Sequence, residues 1–391
     1  MVSLLSKIFI KDRFNYSDKN VRHQYGMLCG FFGIFLNLVL FAFKAFAGFI
    51  TKSIAVTSDA FNNLSDAASS IVQILGFKLS SKKPDMEHPF GHGRMEYISG
   101  LIISFFIFLM GFELLKTSFE GLFKPAGTKF SLLSVSIMIF SILVKTYMYF
   151  YNHTIGKKID SVSMEAVAKD SLSDCIATFV VILSAFLGRF TSFPVDSVAG
   201  LIVALCIIYA GYDSAKETIA PLLGTPPSKK FVEDIEKELL AHKPIIAMHD
   251  LIVHDYGPGR TIVSLHAEVP GDRNIFELHD VIDNAEVDIG KKFDCQAIIH
   301  LDPIDTKNIR LAELTTELKQ ILPLIEENLF AHDIRMVPGT SHTNLIFDVV
   351  KPFSCKYTNL ELSKKINEKI KEKHPDVNCV ITVDSPFVKQ E

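Results

Sequence analysis

The sequence predicts a helical membrane domain followed by an α+β domain, and two observations lead to this fold class. Nearly all long apolar runs lie between residues 27 and 213, whereas residues 225–391 are rich in Lys, Glu and Asp. The mean hydropathy of +0.27 is high for a soluble protein and low for a chain embedded throughout. The apolar residues are therefore segregated along the chain, with a membrane half before a soluble half.

Six apolar stretches are long enough to cross a bilayer as helices, which takes roughly 20 residues each. Together they predict a transmembrane domain over residues 27–215. The segment before it, residues 1–26, lacks the apolar core and small-residue site of a cleaved signal peptide. The six stretches lie near residues 27–50, 54–79, 97–120, 131–151, 166–188 and 194–213.

Six crossings would put both termini on the same side of the bilayer. Lys and Arg are more frequent near the segment ends on that side, as with Lys7, Arg13, Lys82 and Arg94, than on the other side. Because positive residues favour the cytoplasmic side, we expect both termini in the cytoplasm. The chain is expected to be a multi-pass protein of the plasma membrane.

The soluble part begins after Gly224 and two prolines, which are expected to end the last membrane helix. Over residues 225–305 the pattern order is α-β-β-α-β, which fits a small sheet with helices on one face. Helices are predicted at 231–242, 276–293 and 310–330, and strands at 250–256, 261–269 and 295–303.

Residues 310–391 repeat this order of elements. The sequence HDL at 249–251 returns as HDI at 332–334, and each copy continues with a hairpin, a helix and a last strand. The second copy lacks most of the first copy's histidines, since Asp348 stands where the first copy has His266. We therefore expect a duplicated domain.

Charge and cysteine content exclude two classes of function. A net charge of -4 without a large basic block argues against nucleic acid as a partner. The six cysteines show no CxxC spacing, and three fall in apolar segments. Neither a disulfide framework nor a thiolate zinc site is indicated, and the soluble part suits a reducing compartment.

Two membrane segments carry oxygen ligands one helical turn apart. Asn62 and Asp66 stand four apart in the second segment, and Asp170 and Asp174 do so in the fifth. In a helix each pair shares one face. A carboxylate in a bilayer costs about 2.5–3.5 kcal/mol and usually lines a pathway or cavity. The two pairs can therefore converge on one cation.

A second candidate set lies in the loop after the second membrane segment. Asp85, His88 and His92 have spacings of three and four that let imidazole and carboxylate ligands meet. Gly91 and Gly93 permit a tight turn there.

A third set lies in the first soluble copy, where potential ligands come from four predicted elements. His300 and Asp302 share one face of a strand because they are two residues apart. The whole set is His249, His266, His279, His300 and Asp302.

Each set has an ordinary alternative interpretation. The membrane carboxylates could cap helices or pair with Lys145 and Lys169. The loop histidines could be solvated or cap a helix, and histidines on strands are often satisfied surface groups.

Taken together, the motifs resemble those of the cation diffusion facilitator transporters over residues 20–305. The resemblance rests on SDAFNNLSDA in the second segment, the HPFGHGRME loop, DxxxD in the fifth segment, and HDL, LHAE and IIHLDP in the tail. It implies a homodimer in the lipid bilayer with six helices per subunit and a cytoplasmic domain of ferredoxin-like or metallochaperone-like form. The repeat at 310–391 indicates that this α+β ferredoxin-like domain is duplicated here. The resemblance also implies efflux of a divalent cation by alternating access in exchange for protons, without enzymatic activity.

By position, the resemblance implies three metal sites. The transport site would be Asn62, Asp66, Asp170 and Asp174; the loop site Asp85, His88 and His92; and the tail site His249, His266, His279, His300 and Asp302.

The sequence departs from the family's zinc transporters, which usually carry a histidine among the transport ligands, often where Asp170 stands. Here all four ligands offer oxygen, which suits Mn²⁺ better than Zn²⁺. Mn²⁺ is therefore the first choice, with Zn²⁺, Fe²⁺ and Co²⁺ as alternatives. The copy at 310–391 lies outside the basic family pattern, and a packing or dimer-contact role is favoured for it.

Two other classes of function remain to be weighed. In a membrane-anchored metal sensor the helices would only anchor the tail, but an anchor gains nothing from buried carboxylates. A membrane metalloprotease would need an HExxH helix, which the sequence lacks.

Overall fold

The architecture is that of a computed structural model. The chain forms two compact units, Met1–Gly224 with Tyr256–Gly259 and Thr225–Asp255 with Arg260–Glu391. The structure describes residues 2–16, 18–51, 54–123, 132–187, 195–339 and 342–387. Residues 131, 188 and 194, at the ends of predicted membrane segments, and residues 388–391 of the predicted second copy lie outside these ranges.

The first unit is helical, with a short helix followed by long ones. The shortest long helix has 26 residues, which at 1.5 Å per residue spans roughly 39 Å and exceeds a bilayer core of roughly 30 Å. The bounds are α1 Val2–Phe9, α2 Lys19–Thr51, α3 Ile54–Ser80, α4 Met95–Phe123, α5 Leu132–Lys158, α6 Val162–Leu187 and α7 Val195–Leu223.

By length and composition, three helices among the described residues qualify as membrane spans: Lys19–Ala47, Met95–Phe123 and Ser197–Leu223. The other long helices, α3, α5 and α6, carry charged residues that lower their hydropathy. These residues include Asp66 on α3, Lys145 on α5 and Asp174 on α6.

The long helices expose large apolar side chains on their outer surface. Examples are Phe46, Phe105 and Phe179, which are all more than half exposed. A soluble protein rarely presents so large an apolar surface, whereas lipid tails cover one without cost. The helical unit is therefore built for a membrane.

Inside the helical unit, α2 packs against α3, α4 against α7, and α5 against α6. A buried ion pair holds helix ends together near the α5–α6 connection. Arg22 of α2 donates to both carboxylate oxygens of Glu96 at the start of α4, at 2.5 and 2.8 Å. Ser161 donates to Glu96 as well, at 2.6 Å.

The last long helix ends as its sequence predicts. α7 stops at Leu223, and Gly224 adopts a φ of 101°, a backbone conformation that glycine tolerates best. The prolines at 226 and 227 then prevent the helix from continuing.

The second unit contains two α/β modules with the same order of elements. The first module, residues 229–304, has α8 Lys229–Ala241, β1 Ala247–Asp255, β2 Thr261–Pro270, α9 Ile275–Phe293 and β3 Cys295–Ile304. The second module, residues 309–384, has α10 Ile309–Ile325, β4 Phe330–Pro338, β5 Thr343–Val350, α11 Asn359–Lys373 and β6 Val377–Asp384.

Both sheets have three strands and the same topology. The strand orders are β1-β2-β3 and β4-β5-β6. In each sheet the first two strands are antiparallel and the last two are parallel, because a helix connects them.

Polar residues cap the helices of both modules. A cap satisfies backbone N–H groups that have no partner within the helix and stabilises it by about 1 kcal/mol. Thr358 and Glu361 form a reciprocal capping box at α11. The capping residues are Ser228, Asn274, Asn308 and Thr358, at α8, α9, α10 and α11 respectively.

One face of each sheet packs on helices, and in the first module the opposite face carries a row of histidines. Along β2, burial alternates, with Val263, Leu265, Ala267 and Val269 in the core. Leu278 and Ile282 of α9 join that core. Each fully buried side chain of this kind contributes about 1.5–3 kcal/mol. His266 lies on the opposite face because successive side chains alternate.

A bulge in β1 sets which of its residues face the core. The register with β2 shifts between His249 and Ile252, and Asp250 has a φ of 49°. Met248 and Leu251 both pack in the core. Since they are three positions apart, the extra residue lets His249 and Asp250 both stay out of the core.

The second module repeats this bulge in β4. The register with β5 shifts between His332 and Arg335, and Asp333 also has a φ of 49°. Ala331 and Ile334 contact the core on either side. The HD sequence shared by the two copies therefore corresponds to the same local backbone.

Several predicted boundaries are wrong. α5 and α7 extend to Lys158 and Leu223, past the predicted ends of their apolar stretches near 151 and 213. α2 begins at Lys19, before the apolar run, because its first turns pack against the other helices through Val21 and Tyr25. β1 begins at Ala247 rather than 250, since the bulge hides its alternation. α10 ends at Ile325, where Glu326 is extended, and β4 begins at 330.

Candidate functional site

Two carboxylates of the helical unit meet at one lysine. The Nζ of Lys145 on α5 lies 2.7 Å from Oδ2 of Asp66 on α3 and 2.5 Å from Oδ2 of Asp174 on α6. The Lys145 side chain is 4% exposed. A buried charge is tolerated when it is paired and hydrogen-bonded. Three helices therefore converge on one cationic group.

The other two predicted transport ligands differ in burial. Asp170, one turn before Asp174 on α6, is buried and within electrostatic reach of Lys145. Asn62, one turn before Asp66 on α3, has an exposed side chain. The helical spacing keeps Asn62 on the side of α3 that carries Asp66.

The ion-pair alternative raised by the sequence is realised for Lys145. Lys169 instead pairs with Asp213 and Glu217 of α7, at 2.8 Å each. In the described parts of the chain, some groups of three or more His, Cys, Asp or Glu residues have ligand atoms that lie within 4.8 Å of one another. Such groups occur in the loop and in the tail. The membrane carboxylates form no such group.

The loop between α3 and α4 brings its three predicted ligands together. His88 Nδ1 lies 3.5 Å and His92 Nε2 lies 3.4 Å from carboxylate oxygens of Asp85. The two imidazole ring centroids are 4.6 Å apart. The loop turns back on itself where Gly91 adopts a φ of 84°. One small cation can reach all three side chains.

Asp85 also organises the loop backbone. Its Oδ1 accepts hydrogen bonds from the backbone N–H groups of Glu87 and His88, at 3.1 and 2.8 Å. The bond from His88 is the main reason that the Asp85 pKa is lowered, and the positive charge of a protonated His92 contributes. Asp85 is therefore an ionised ligand at neutral pH.

In the first α/β module, three histidines form a row across the sheet. The strand register pairs His249 with His266 and His266 with His300. Asp302 holds the row: its Oδ2 lies 2.8 Å from His266 Nδ1 and 3.2 Å from His249 Nε2. Its Oδ1 lies 3.3 Å from His300 Nε2.

Carboxylates on both sides shape the protonation of this row. Burial lowers the pKa of His249, but hydrogen bonds and charges of Asp250 and Asp302 outweigh it and raise that pKa to about 9. Burial raises the pKa of Asp302, but hydrogen bonds from His249 and His266 outweigh it, so that pKa is lowered. A metal ion at His249 therefore has to displace a proton.

His279 is not brought to this cluster. It lies on α9, which packs against the sheet face opposite His266, and its side chain is 70% exposed. Its partner is Asp283, one turn along the same helix, at 3.2 Å. Within the described chain, His279 does not join the other four predicted tail ligands.

The structure adds three residues that the sequence did not place among the ligands. Lys145 lies between the membrane carboxylates. Asp250 contacts His249, with 3.3 Å between Oδ2 and Nδ1, and His332 of the second module lies beside both. The repeated HD sequence was a signal for His332, but it did not reveal that the two copies meet there.

Comparison with known proteins adds two family matches. Residues 30–223 match the cation efflux transmembrane domain. Residues 227–304 match the cytoplasmic domain of cation efflux proteins. The matches cover the helical unit and the first α/β module.

Several curated proteins are similar over most of their length. The chain is 35% identical to an uncharacterized transporter, MJ0449, of Methanocaldococcus jannaschii, over 69% of this chain and 95% of that protein. It is 28% identical to the manganese efflux system protein MneS of Bacillus subtilis, over 69% and 93%. It is 26% identical to a cadmium, cobalt and zinc/H(+)-K(+) antiporter of Bacillus velezensis, over 64% and 80%.

Proposed function

Because the chain belongs to the cation efflux family, whose members are membrane transporters and not enzymes, we propose that it exports Mn²⁺ from the cytoplasm in exchange for protons. Efflux of a divalent cation is the activity of the family. The choice of Mn²⁺ and the exchange for protons are specific to this proposal.

The observation that carries the proposal is the convergence of Asp66 and Asp174 on the Lys145 ammonium. Carboxylates from two helices already hold one cation there, so the position can accept another. A divalent ion would displace the ammonium and gain Asp170, with Asn62 completing an oxygen set. Rocking of the helices would then open the site to the opposite side.

The donor atoms support Mn²⁺ as the exported ion. Carboxylate and amide oxygens suit Mn²⁺, whereas imidazole suits Zn²⁺. A similar protein from Bacillus subtilis carries the name of a manganese efflux protein. Zn²⁺, Fe²⁺ and Co²⁺ are the runner-up substrates, because another similar protein is named for cadmium, cobalt and zinc.

Coupling to protons would follow from competition at the same oxygens. A carboxylate binds either a metal ion or a proton, so metal leaves a site more readily as protons enter it. Alternating exposure of one such site would exchange the two ions without covalent chemistry.

The proposal extends to the membrane topology, the oligomeric state and the other two metal sites. The six long helices α2–α7 would cross the plasma membrane, with both termini in the cytoplasm and two chains forming a homodimer. The two modules would be copies of one ferredoxin-like domain. The loop set Asp85, His88 and His92 and the tail set His249, His266, His300 and Asp302 would bind metal on the cytoplasmic side. His279 lies outside this tail set, because it pairs with Asp283 on α9.

A flux assay tests the transport site directly. Purified protein in proteoliposomes should accumulate Mn²⁺ when an outward proton gradient is imposed. Asp170→Asn should reduce that uptake to background, because the amide keeps the shape of the side chain and removes its charge. Asp213→Asn is the matched control, since Asp213 lies on α7 and pairs with Lys169 and not with Lys145. Full Mn²⁺ uptake by a folded Asp170→Asn protein would refute the assignment.

A further inference from the structure

His332 is a buried histidine without a hydrogen bond. The residue is 4% exposed, and neither Nδ1 nor Nε2 has a hydrogen-bond partner. A buried polar group left unpaired costs about 1–3 kcal/mol. Such groups are rare in native proteins and call for an explanation. One common explanation is that the group binds an ion.

Potential ligands of the first module surround this ring. His332 Nε2 lies 3.4 Å from Oδ1 of Asp250. The ring centroids of His332 and His249 are 4.5 Å apart. Each of the three side chains offers a ligand atom, and these atoms lie within 4.8 Å of one another. The cluster joins β1 of the first module to β4 of the second.

The backbone brings the cluster about in the same way on both sides. His249 and His332 each begin the bulge of their strand, followed by an aspartate with positive φ. The bulge keeps both residues of the HD pair out of the module's own core. The side chains are therefore free to meet between the modules.

We propose that the two α/β modules share a metal site whose ligands are His249 and Asp250 of the first module and His332 of the second. The site shares His249 with the row of histidines, whereas Asp250 and His332 belong to this site alone. It is also independent of the transport proposal, because none of its ligands belongs to the helical unit.

The spacing and chemistry of the ligands fit Zn²⁺. Tetrahedral Zn²⁺ with bonds of 2.0–2.1 Å places its ligand atoms roughly 3.3 Å apart. His249 Nδ1 lies 3.3 Å from Oδ2 of Asp250, and His332 Nε2 lies 3.4 Å from Oδ1 of the same carboxylate, so each histidine has this spacing to one of its two oxygens. Two imidazoles and one carboxylate suit Zn²⁺ and leave a fourth position for water.

His249 connects this site to the neighbouring row. Its Nδ1 faces Asp250, and its Nε2 faces Asp302 at 3.2 Å. A neutral imidazole has one nitrogen with a free lone pair, so it can coordinate only one ion. Only the imidazolate anion could bridge two ions. Occupation of one site therefore changes the ligands available to the other.

An ion can reach the buried ligands through a cavity. A cavity of about 370 Å³ is lined by both His249 and His332, and also by Glu268, Thr315 and Lys319. Once bound, the ion would link the modules and stabilise their contact by mass action.

The test measures bound Zn²⁺ in full-length protein in detergent micelles. The protein is first stripped with a chelator, and Zn²⁺ number and affinity are then obtained by competition with a coloured chelator. Asp250→Asn and His332→Gln should each either abolish the binding of one Zn²⁺ per chain or lower the affinity for that Zn²⁺ at least tenfold. Asparagine tolerates the positive φ at position 250. His374→Gln, in the same module as His332, should behave like wild type, since His374 pairs with Glu317 instead.

Unchanged Zn²⁺ number and affinity in both variants would overturn the shared site. Circular dichroism and thermal unfolding of the stripped proteins show whether each variant is folded. If His332→Gln does not fold, the result for Asp250→Asn decides the test. Transport of Mn²⁺ in proteoliposomes is measured in parallel. If the wild type transports Mn²⁺ but both variants bind Zn²⁺ as the wild type does, only the shared-site proposal is refuted. If the variants lose Zn²⁺ as expected but the wild type does not transport Mn²⁺, only the transport proposal is refuted.

Discussion

The ammonium nitrogen of Lys145 lies 2.5 Å from Oδ2 of Asp174, which ties α5 to α6 in the interior of the helical unit. The same nitrogen contacts Asp66 of α3. A lysine thus takes the place of a mobile cation among carboxylates of the proposed transport site. Any exported ion has to compete with it, and the lysine can reclaim the carboxylates when the ion leaves.

Removing this competitor should change binding and turnover in opposite directions. In Lys145→Met the side-chain volume is kept, so Mn²⁺ should bind at least about tenfold more tightly because breaking a buried ion pair is costly. The maximal transport rate should fall, since no ammonium replaces the departing ion. KM and maximal rate of Mn²⁺ uptake in proteoliposomes measure both effects.

Lys169→Met is the matched control for this lysine. Lys169 lies on α6 but pairs with Asp213 and Glu217. It should leave the KM for Mn²⁺ unchanged. A folded Lys145→Met protein with wild-type KM and rate would show that Lys145 only supports the structure.

Changing the donor atoms should change the preferred metal. Asp170→His introduces an imidazole among oxygen ligands, so the ratio of Zn²⁺ to Mn²⁺ uptake should rise by about tenfold or more. Asn62→Asp adds charge without nitrogen and should alter affinity more than preference. Competition between ions during uptake into proteoliposomes gives the ratios, and equal preferences in wild type and Asp170→His would remove the argument for Mn²⁺.

Metal binding in the tail should depend on pH in a defined direction. Without metal, His249 keeps its proton up to about pH 9, because Asp250 and Asp302 more than offset the effect of burial on its pKa. Metal needs the deprotonated nitrogen, so apparent Zn²⁺ affinity should increase as pH rises toward about 9 and then level off. Calorimetry in buffers of different ionisation enthalpy should detect proton release at pH 7.

The control for the pH effect is His249→Gln. This variant should bind Zn²⁺ more weakly and lose most of the proton release at pH 7. An affinity that falls between pH 7 and 9 in the wild type would contradict the raised pKa of His249.

The second α/β module should depend on its helix cap. Thr358→Ala removes the hydroxyl that accepts from the Glu361 N–H, which should lower the stability of α11 by about 1 kcal/mol. Hydrogen exchange of the α11 amides should accelerate by about fivefold or more, while those of α9 in the first module stay unchanged. Equal protection of α11 in both proteins would mean that the cap does not limit local opening.

Much of the fold follows from local patterns in the sequence. Apolar runs marked the long helices, and Gly224 with its prolines marked the end of α7. The alternation of apolar and polar residues predicted β2 closely, because every second residue of this strand is buried. It failed at β1, where the bulge at Asp250 interrupts the period, and at α2, whose first turns contain polar residues that tertiary contacts hold in a helix.

The candidate sites were predictable only as far as helical and strand spacing reach. Spacing put Asp170 and Asp174 on one face, and strand geometry put His300 beside Asp302. It could not show that Lys145, from another helix, lies between two carboxylates. Nor could it show that His332 meets His249, because that contact depends on how two modules with separate cores pack against each other.

The bulge in β1 is an extra residue that the packing of the strand does not need. Without Asp250, regular alternation would keep Met248 and Leu251 facing the core and His249 on the opposite face. Deleting Asp250 would therefore leave the core in phase and remove only the bulge and one ligand. The duplicated HD sequence shows the chain keeping this extra residue twice.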